Sequence, residues 1–341
     1  MIKIFKETKI YIACPPNTAT GGPLALHQLG YKLKKLGFNV FMFYVTKVLK
    51  NPTHVNYQDY KVPYVFEIDD KTKNFLIVPE RNTDLLYNFC NIRAAVWWLS
   101  IDNFFKLPYL FFLLKKIQLP KPNLSILKFL YRTKNIIFQQ KVLSAKDHNK
   151  YYHFTQSAYA NQYLKNNFDV NEELIYMLTD YLLEIFFEKK NENIKKENIV
   201  LFNPTKGKTF TKKLIKANKN IKWIAIQNMT PREVRELLLR SKLYVDFGDH
   251  PGRDRFPREA VISGCCLITG KRGSANFFED IPIDDEFKFS DKTSEITNIS
   301  KKIKSVFSNY QSEVRKFEYC KNFIKNNELI FEEEILNIFK R

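Results

Sequence analysis

The sequence predicts an α/β protein made of two Rossmann-like domains that face each other across a cleft. Two observations lead to this fold class. Short apolar runs alternate with amphipathic helical segments in both halves of the chain, a pattern typical of parallel sheets joined by crossover helices. The chain also has 341 residues, more than one hydrophobic core usually serves. Because ligands of such sheets bind at the carboxyl ends of the strands, the cleft is the expected site.

A strand–helix–strand unit opens the chain. Lys9–Cys14 is predicted as a strand, Pro23–Gly37 as an amphipathic helix that ends at its glycine, and Phe38–Val45 as the next strand. Further strands are predicted at Asn74–Glu80 and at Ala94–Ser100. This alternation of strands and helices indicates a parallel sheet in the first half of the chain.

A second series of strands and helices follows a polar, charged stretch at Glu188–Glu197, which is the predicted linker. In that series NIVLFNP, KWIAIQ, LYVDFG and CCLITG are predicted as strands. The predicted units are an N-terminal domain of residues 1–190 with a helical insertion around 104–145, a C-terminal domain of residues 191–320, and a helix over 321–341 that packs back on the first domain.

Charge and cysteine content narrow the class of protein. Lys and Arg number 55 against 36 Asp and Glu, a formal net charge of +19, which favours an anionic partner such as nucleic acid, anionic lipid or a phosphorylated substrate. A composition rich in Lys and Asn explains the charge equally well. The five cysteines show no metal-binding spacing, so buried thiols in a reducing compartment are expected. No stretch is long and apolar enough to predict a transmembrane helix or a signal peptide, so a cytoplasmic location is expected.

The densest group of functional residue types lies at Gly248–Glu259, between a predicted strand and a helix that begins at Pro257. Loops with this much Gly, Pro and charge between buried elements usually serve a site, and arginine forks suit phosphates and carboxylates. The segment therefore indicates an anion-binding site.

Three glycine-containing turns are predicted to contribute further anion-binding groups. Lys206, in Asn203–Gly207, directly follows a predicted strand and can place an ammonium over a diphosphate. The turn Gly270–Ala275 can complete an anion cradle with its backbone N–H groups. Gly21 and Gly22, before the first helix, allow a close backbone approach to an oxyanion. Neither GxGxxG nor the Walker pattern is present.

These segments together resemble GT-B glycosyltransferases, most closely the retaining enzymes of bacterial lipopolysaccharide and capsule synthesis (glycosyltransferase group 1, or family 4-like). TGGPLALHQLGYKLKKLG is similar to that group's first glycine-rich loop and helix, and VWWLSIDN and HFTQSAYANQYL are similar to later segments of its N-terminal domain. FNPTKG is similar to the strand and phosphate lysine that open the donor domain, and PREAVISGCCLITGKRGSA to its EAxxxGxxxI–GG segment.

The resemblance implies roles for particular residues. Glu259 would hydrogen-bond the nucleotide ribose, and Lys206 with the backbone of Gly273 and Ser274 would contact the diphosphate. The remaining candidates follow from the chemistry and position of the residues. The donor-side cations are Arg253, Arg255 and Arg258, and the groups that could orient the sugar or accept a proton are Asp249, His250 and Asp254. The acceptor-side or sugar-side candidates are Gly21, Gly22, His27 and Asp102. The family's E-x7-E pattern is broken, because Pro251 stands where the first Glu is usual.

The resulting expectation is a glycosyltransferase that moves a sugar from a nucleotide-diphosphate donor to a cell-surface glycan or a lipid-linked acceptor. No metal and no cofactor are expected, because Asp69-Asp70 and Asp284-Asp285 are plain acidic pairs rather than a DxD motif, which leaves Lys and Arg to stabilise the leaving diphosphate. Two alternatives stay open: a GT-B transferase of another phosphate-linked group, and a nucleic-acid-binding protein. The second lacks an RRM, OB or helix-turn-helix signature.

Residues 104–134 combine aromatics with lysines and contain no acidic residue. Such a surface can dock on anionic lipid near a lipid-linked acceptor, which would make the protein peripheral on the inner face of the plasma membrane. A buried helical insertion whose lysines extend to solvent explains the same composition equally well.

Overall fold

The computed structural model describes residues 1–48, 51–105, 143, 147–188 and 194–340. The chain forms two compact units, unit 1 (Met1–Asp180 with Ile330–Arg341) and unit 2 (Tyr181–Leu329). The chain therefore passes from unit 1 to unit 2 after Asp180, earlier than the boundary predicted after residue 190, and it returns at Ile330, later than the predicted 321. The predicted helical insertion and its lysines Lys115, Lys116 and Lys128 lie outside the described residues.

Unit 1 is built on a seven-stranded parallel sheet of order β4-β3-β2-β5-β6-β7-β8. The strands of this sheet are β2 (Lys9–Cys14), β3 (Asn39–Tyr44), β4 (Tyr64–Val65), β5 (Phe75–Pro79), β6 (Arg93–Trp98), β7 (Tyr152–Thr155) and β8 (Ile175–Met177), and β1 (Ile2–Lys3) lies outside it. The helices are α1 (Gly21–Lys35), α2 (Ile101–Phe104) and α3 (Ala158–Phe168). Short 3₁₀ segments lie at Val55–Tyr60, Glu80–Asn88, His148–Lys150 and Glu172–Leu174. The predicted parallel sheet is confirmed.

Unit 2 carries a four-stranded parallel sheet of order β10-β9-β11-β12. Its alternating elements are β9 (Glu197–Phe202), α4 (Lys208–Ala217), β10 (Lys222–Ala225), α5 (Pro231–Arg240), β11 (Ser241–Asp246), α6 (Arg255–Ile262) and β12 (Cys266–Thr269), followed by α7 (Ile296–Ser308), α8 (Tyr310–Arg315) and α9 (Glu318–Lys325). Helix α10 (Asn327–Ile338) begins in unit 2 and ends in unit 1, and the final strand β13 (Phe339–Lys340) belongs to unit 1. The 3₁₀ segments are Glu184–Phe187, Gly273–Asn276, Asp285–Phe287 and Thr293–Glu295. The strands β9, β11 and β12 are neighbours, so the loops at their carboxyl ends meet.

The C-terminal segment is fixed to unit 1 by several contacts. Phe331 stacks on Trp97 with ring centroids 6.3 Å apart, and the Glu334 carboxylate accepts hydrogen bonds from the backbone N–H and the hydroxyl of Thr179 at 2.7 and 2.8 Å. The final strand β13 then pairs in parallel with β1 at the N-terminus. The first and last strands of the described chain thus belong to the same unit.

Four of the five cysteines are buried as free thiols, as expected, whereas Cys90 is exposed. Among the described residues no helix is long and apolar enough to cross a membrane.

The core of unit 1 encloses neutral histidines. The Trp98 indole N–H donates to Nδ1 of His153 at 2.9 Å, so the other ring nitrogen of His153 donates to the carbonyl of His148, also at 2.9 Å. Burial lowers the pKa of His153 and of His27 to about 4, and burial also lowers the pKa of His148. Charging any of these rings would leave a cation in an apolar core.

Acidification is therefore expected to destabilise unit 1. In the unfolded chain a histidine accepts a proton near pH 6.5, whereas in the folded unit these histidines do so only near pH 4. Their contribution to the free energy of unfolding is therefore complete above pH 6.5 and is lost as the pH falls toward about 4. Glu80 opposes this trend, because burial raises its pKa to about 7 and its proton is retained in the folded unit. The net loss between pH 7.5 and pH 5 is expected to be roughly 2–4 kcal/mol.

Urea denaturation followed by Trp97 and Trp98 fluorescence, in a Trp223→Phe background, measures the effect in unit 1. The variant His153→Gln, which keeps an acceptor for the Trp98 indole, should show a shallower pH dependence than its parent. A midpoint that is the same at both pH values would refute the expectation.

Candidate anion-binding site

Three loops meet at the carboxyl edge of the unit 2 sheet. They are the lysine loop (residues 203–207) after β9, the central loop (residues 247–254) after β11 and the glycine turn (residues 270–274) after β12. Gly270 N–H donates to the carbonyl of Asp246 at 2.8 Å, and Ser274 N–H donates to the carbonyl of His250 at 2.9 Å. The loops that the sequence indicated separately therefore form one surface.

Two glycines allow this close packing. Gly207 and Gly273 have φ values of +57° and +54°, in the left-handed region that favours glycine. A Cβ atom on Gly207 would collide with the carbonyl of Phe247, and one on Gly273 would collide with the carbonyls of Asp249 and His250. The lysine loop and the glycine turn thus each rest directly on the backbone of the central loop.

Four charged side chains form a continuous chain beneath this surface. Lys206 Nζ lies 2.6 Å from Oδ1 of Asp254, and Oδ2 of Asp254 lies 3.3 Å from Nδ1 of His250. The other ring nitrogen of His250 lies 3.4 Å from Oδ1 of Asp246. The sequence singled out three of these residues; Asp246, the last residue of β11, it did not.

Hydrogen bonds fix the inner end of the chain. The Asp246 carboxylate accepts from Gly248 N–H and from the Tyr244 hydroxyl, both at 2.9 Å. Burial raises the pKa of Tyr244, and the nearby carboxylates Asp246, Asp254 and Glu259 raise it further, so the phenol stays a proton donor. Glu259, which is buried on α6, therefore lies close enough to interact electrostatically with this cluster.

The imidazole of His250 is cationic at neutral pH. Burial would lower its pKa, but the carboxylates of Asp246 and Asp254 outweigh burial and raise the pKa to about 10. Burial likewise opposes ionisation of Asp254, yet its contacts with His250 and Lys206 hold the pKa of Asp254 well below its usual range. The cluster therefore contains two cations and two anions.

Asp246, His250 and Asp254 also offer ligand atoms within 4.8 Å of one another, close enough to share a metal ion. The Lys206 ammonium already occupies one side of Asp254, and a further cation placed beside it would be repelled. The donor set fits an ion-pair network better than a metal centre.

His250, predicted as one of the groups that could orient the sugar or accept a proton, is fully buried. Its backbone is left-handed, with φ +43°, a conformation that a non-glycine residue keeps only when its surroundings enforce it. In this structure its ring contacts carboxylates of the protein.

The predicted donor-side arginines have protein partners. Arg253 donates to the Asn327 side chain at 3.3 Å and its guanidinium lies over the Phe323 ring at 5.5 Å. Arg258 donates to the carbonyl of Arg253 at 3.0 Å. Both side chains are buried: Arg253 joins the central loop to α9 and to the start of α10, and Arg258 joins α6 to the central loop. Arg255 is partly exposed.

Asp249 and Ser274 also make contacts within the protein. Asp249, exposed in the central loop, pairs with Arg272 at 2.7 Å, and Arg272 in turn pairs with Asp291. The Ser274 hydroxyl donates to the carbonyl of Gly252 at 2.7 Å, and its N–H is used by His250. Both donors of Ser274 are thus used within the protein.

The candidates in unit 1 separate into two kinds. His27 is structural, because its Nδ1 donates to the carbonyl of Pro23 at 2.7 Å and its Nε2 accepts from the Tyr44 hydroxyl at 3.0 Å. Gly21 and Gly22 begin α1 at the carboxyl edge of the sheet, and a Cβ on Gly21 would meet nothing within 4 Å. Asp102, buried in α2, accepts from the Tyr159 hydroxyl at 3.2 Å.

The two-domain α/β architecture, with a parallel sheet in each unit, is that of GT-B glycosyltransferases. Neither a protein-family model nor a curated protein sequence matches this chain, but solved structures of this fold do. A glycosyltransferase from Rickettsia africae ESF-5 is 13% identical with a TM-score of 0.59, over 98% of each chain.

Two further structures match over similar spans. Anabaena HepE in complex with UDP-glucose is 9% identical with a TM-score of 0.64, over 97% of this chain and 99% of that one. Sucrose-phosphate synthase from Thermosynechococcus elongatus is 9% identical with a TM-score of 0.60, over 97% of this chain and 98% of the other. At these identities the similarity establishes the fold.

Proposed function

We propose that this protein is a glycosyltransferase that moves a sugar from a nucleotide-diphosphate donor, and that unit 2 binds the donor. The observation that carries the proposal is the surface formed by the lysine loop, the central loop and the glycine turn. It lies at the carboxyl edge of a parallel sheet, where α/β folds bind ligands. The similar structures of glycosyltransferases, one of them holding UDP-glucose, support the same class.

Lys206 is the residue on this surface best placed to meet a diphosphate. Its side chain is 34% exposed, whereas that of Asp254 is 18% exposed and His250 is fully buried. An ammonium has three donors, of which one contacts Asp254, so others can reach an anion in solvent. When the bond between the sugar and the phosphate breaks, negative charge grows on the leaving diphosphate, and a fixed ammonium stabilises it.

The remaining roles follow from position. Glu259 lies on α6 directly behind the central loop and is proposed to bind the ribose, and the backbone of Gly273 is proposed to approach the diphosphate. Exposed Asp249 and partly exposed Arg255 remain candidates for contacts to the sugar or the phosphates. In unit 1, Gly21, Gly22 and Asp102 are proposed for the acceptor side.

We further propose a metal-independent, retaining reaction and an acceptor that is a cell-surface glycan or a lipid-linked saccharide, as in capsule or lipopolysaccharide synthesis. The lysine loop supplies cationic charge without a metal ion, and the resemblance to retaining enzymes supports the stereochemistry. The net charge of +19 favours an anionic membrane surface close to a lipid-linked acceptor.

A thermal-shift screen of nucleoside diphosphates and nucleotide sugars tests the proposal, run in EDTA and again with Mg²⁺. A donor at about 100 times its Kd adds roughly 2.7 kcal/mol of stability, so the melting temperature should rise by several degrees with or without Mg²⁺. Lys206→Met and Glu259→Ala should each remove most of that rise.

Lys212→Met is the matched control, because it makes the same change on the exposed face of α4. It should leave the rise intact. If no nucleotide sugar stabilises the protein, or if the Lys206 and Glu259 variants respond like the Lys212 variant, the donor site is not where we place it. Stabilisation by another nucleotide-activated group alone would favour the alternative transferase.

A further inference from the structure

The ion-pair chain Asp246–His250–Asp254–Lys206 has one end in the core and one end in solvent. Asp246 and His250 have side chains 2% and 0% exposed, and Lys206 alone of the four is more than a fifth exposed. Asp254 is the member that contacts both the buried imidazole and the ammonium. The chain thus connects the protein interior to the surface that faces a ligand.

Packing holds the members of this chain in one arrangement. Gly248 lies between two of them, since a Cβ there would come within 2.9 Å of both Asp246 Oδ1 and Lys206 Cβ. The left-handed backbone of His250 directs its carbonyl to Ser274 N–H. The imidazole is therefore held by its backbone as well as by both of its ring nitrogens.

We propose that His250 is a positioning residue: as a buried imidazolium held between Asp246 and Asp254, it fixes the Asp254 carboxylate against Lys206 and so sets the position and the charge environment of the ammonium that meets the donor diphosphate. The inference rests on the proposed function for its consequence in donor binding. It gives Asp246, which the sequence did not indicate, a defined part in the site.

The charge balance explains why the imidazole has to be cationic. With His250 protonated, the four side chains sum to zero and the Lys206 charge is available to an anion. With a neutral imidazole the sum would be −1 beside a diphosphate, which repels it. Two carboxylates around one imidazole keep it protonated throughout the neutral range.

The groups that face the imidazole are Asp246 on β11 and Asp254, which precedes α6. Lys206 of the lysine loop reaches the other oxygen of Asp254. The glycine turn packs on the His250 backbone, and its cation Arg272 pairs with Asp249. Tyr244 on β11 hydrogen-bonds the far oxygen of Asp246, and Glu259 on α6 adds negative charge near that phenol. Removing Asp246 should therefore weaken the protonation of His250 more than any other single change on β11.

The experiment is a pH titration of the full chain labelled with ¹⁵N-histidine, read by NMR, with His250→Gln to assign the His250 signal among five histidines. In the wild-type chain His250 should keep the imidazolium pattern from about pH 6 to about pH 9. In Asp246→Asn its midpoint should fall by about two units or more, into that range. Adding Lys206→Met to this variant should raise the midpoint again, because a neighbouring cation is removed.

Calorimetry with UDP-glucose links the titration to the site. The phosphates of UDP-glucose do not titrate between about pH 6.5 and 8.5, so the wild-type Kd should agree within about twofold across that range. In Asp246→Asn the Kd should rise by about threefold or more as His250 loses its proton. A residue that merely stabilises the loop would change stability without creating this new pH dependence.

Two outcomes would overturn the inference: a wild-type His250 that titrates near its ordinary pKa, or a midpoint in Asp246→Asn that Lys206→Met leaves unchanged. If Asp246→Asn does not fold, Asp254→Asn removes the other carboxylate and should lower the midpoint likewise. Failure of the wild-type chain to bind UDP-glucose would count against a UDP-sugar donor, while the donor-free titrations would still decide the role of His250.

Discussion

Replacing Gly273 with alanine is expected to weaken donor binding by at least about a hundredfold and to destabilise unit 2. Gly273 has φ +54°, and a Cβ there would collide with the backbone carbonyls of Asp249 and His250. Backbone atoms cannot turn aside as a side-chain end can, so the glycine turn and the central loop would have to separate. That movement breaks the hydrogen bond from Ser274 N–H to the His250 carbonyl.

The expected cost combines two effects. A non-glycine residue in the left-handed region costs on the order of 1–2 kcal/mol, and the displaced loop adds the loss of its hydrogen bonds, roughly 1 kcal/mol each. We expect the free energy of unfolding of unit 2 to fall by roughly 2–4 kcal/mol. Donor affinity should fall by at least about a hundredfold, because Lys206 and the central loop lose their common position.

Gly270 provides a matched control in the same turn. A Cβ on Gly270 would lie 3.6 Å from the nearest atoms of Phe247, an ordinary van der Waals distance, and its backbone is not left-handed. Gly270→Ala should therefore change the melting temperature and the donor Kd little. Comparable behaviour of Gly270→Ala and Gly273→Ala in the thermal-shift assay would show that the close contact at Gly273 is unimportant.

The carboxyl-edge loops were predictable because their residue types are unusual. Gly207 and Gly273 each follow a buried strand, and the charge between Gly248 and Glu259 cannot be buried without partners. Periodicity then placed all three loops on one edge of a parallel sheet. The sequence predicted the place of the site for these physical reasons.

The partners of the charged residues could not be predicted in the same way. Asp246 is the last residue of an otherwise largely apolar strand, and nothing in the strand's sequence distinguishes it from the charged residues that follow. The tertiary structure shows that it pairs with His250. Arg253 and Arg258 are of a residue type that often binds phosphate, yet in the structure their guanidinium groups donate hydrogen bonds to oxygen atoms of the protein. A sequence shows which residues carry charge, but their pairing depends on distances that sequence spacing does not fix.

The predicted linker illustrates the same limit. The stretch Glu188–Glu197 is polar along its length, and Lys196 looks like any other residue in it. In the structure Lys196 is largely buried, and its ammonium donates to the carbonyls of Leu238 and Ser241 at 2.9 Å and to that of Ser263 at 3.0 Å. Burial lowers the pKa of Lys196, as expected for an ammonium withdrawn from water.

Lys196 caps the C-terminal ends of two helices. The carbonyl of Leu238 lies in the last turn of α5 and that of Ser263 follows α6, where helices leave carbonyls without partners within the helix. A cation at this position donates to those carbonyls and interacts favourably with the negative end of both helix dipoles. Lys196 thus joins the segment before β9 to the ends of α5 and α6 and to the start of β11.

Lys196→Met is expected to lower the free energy of unfolding of unit 2 by roughly 1–3 kcal/mol, because methionine fills the space but removes the charged donor. The carbonyls of Leu238 and Ser241 keep the weaker Cys265 thiol as a donor, whereas the Ser263 carbonyl loses the ammonium. Hydrogen exchange measured by mass spectrometry on β11 should report the loss. Lys195→Met, the same change at the exposed neighbouring residue, should stay within about 0.5 kcal/mol of wild type. If β11 is equally protected in the two variants, the ammonium of Lys196 does not stabilise unit 2 through these three carbonyls.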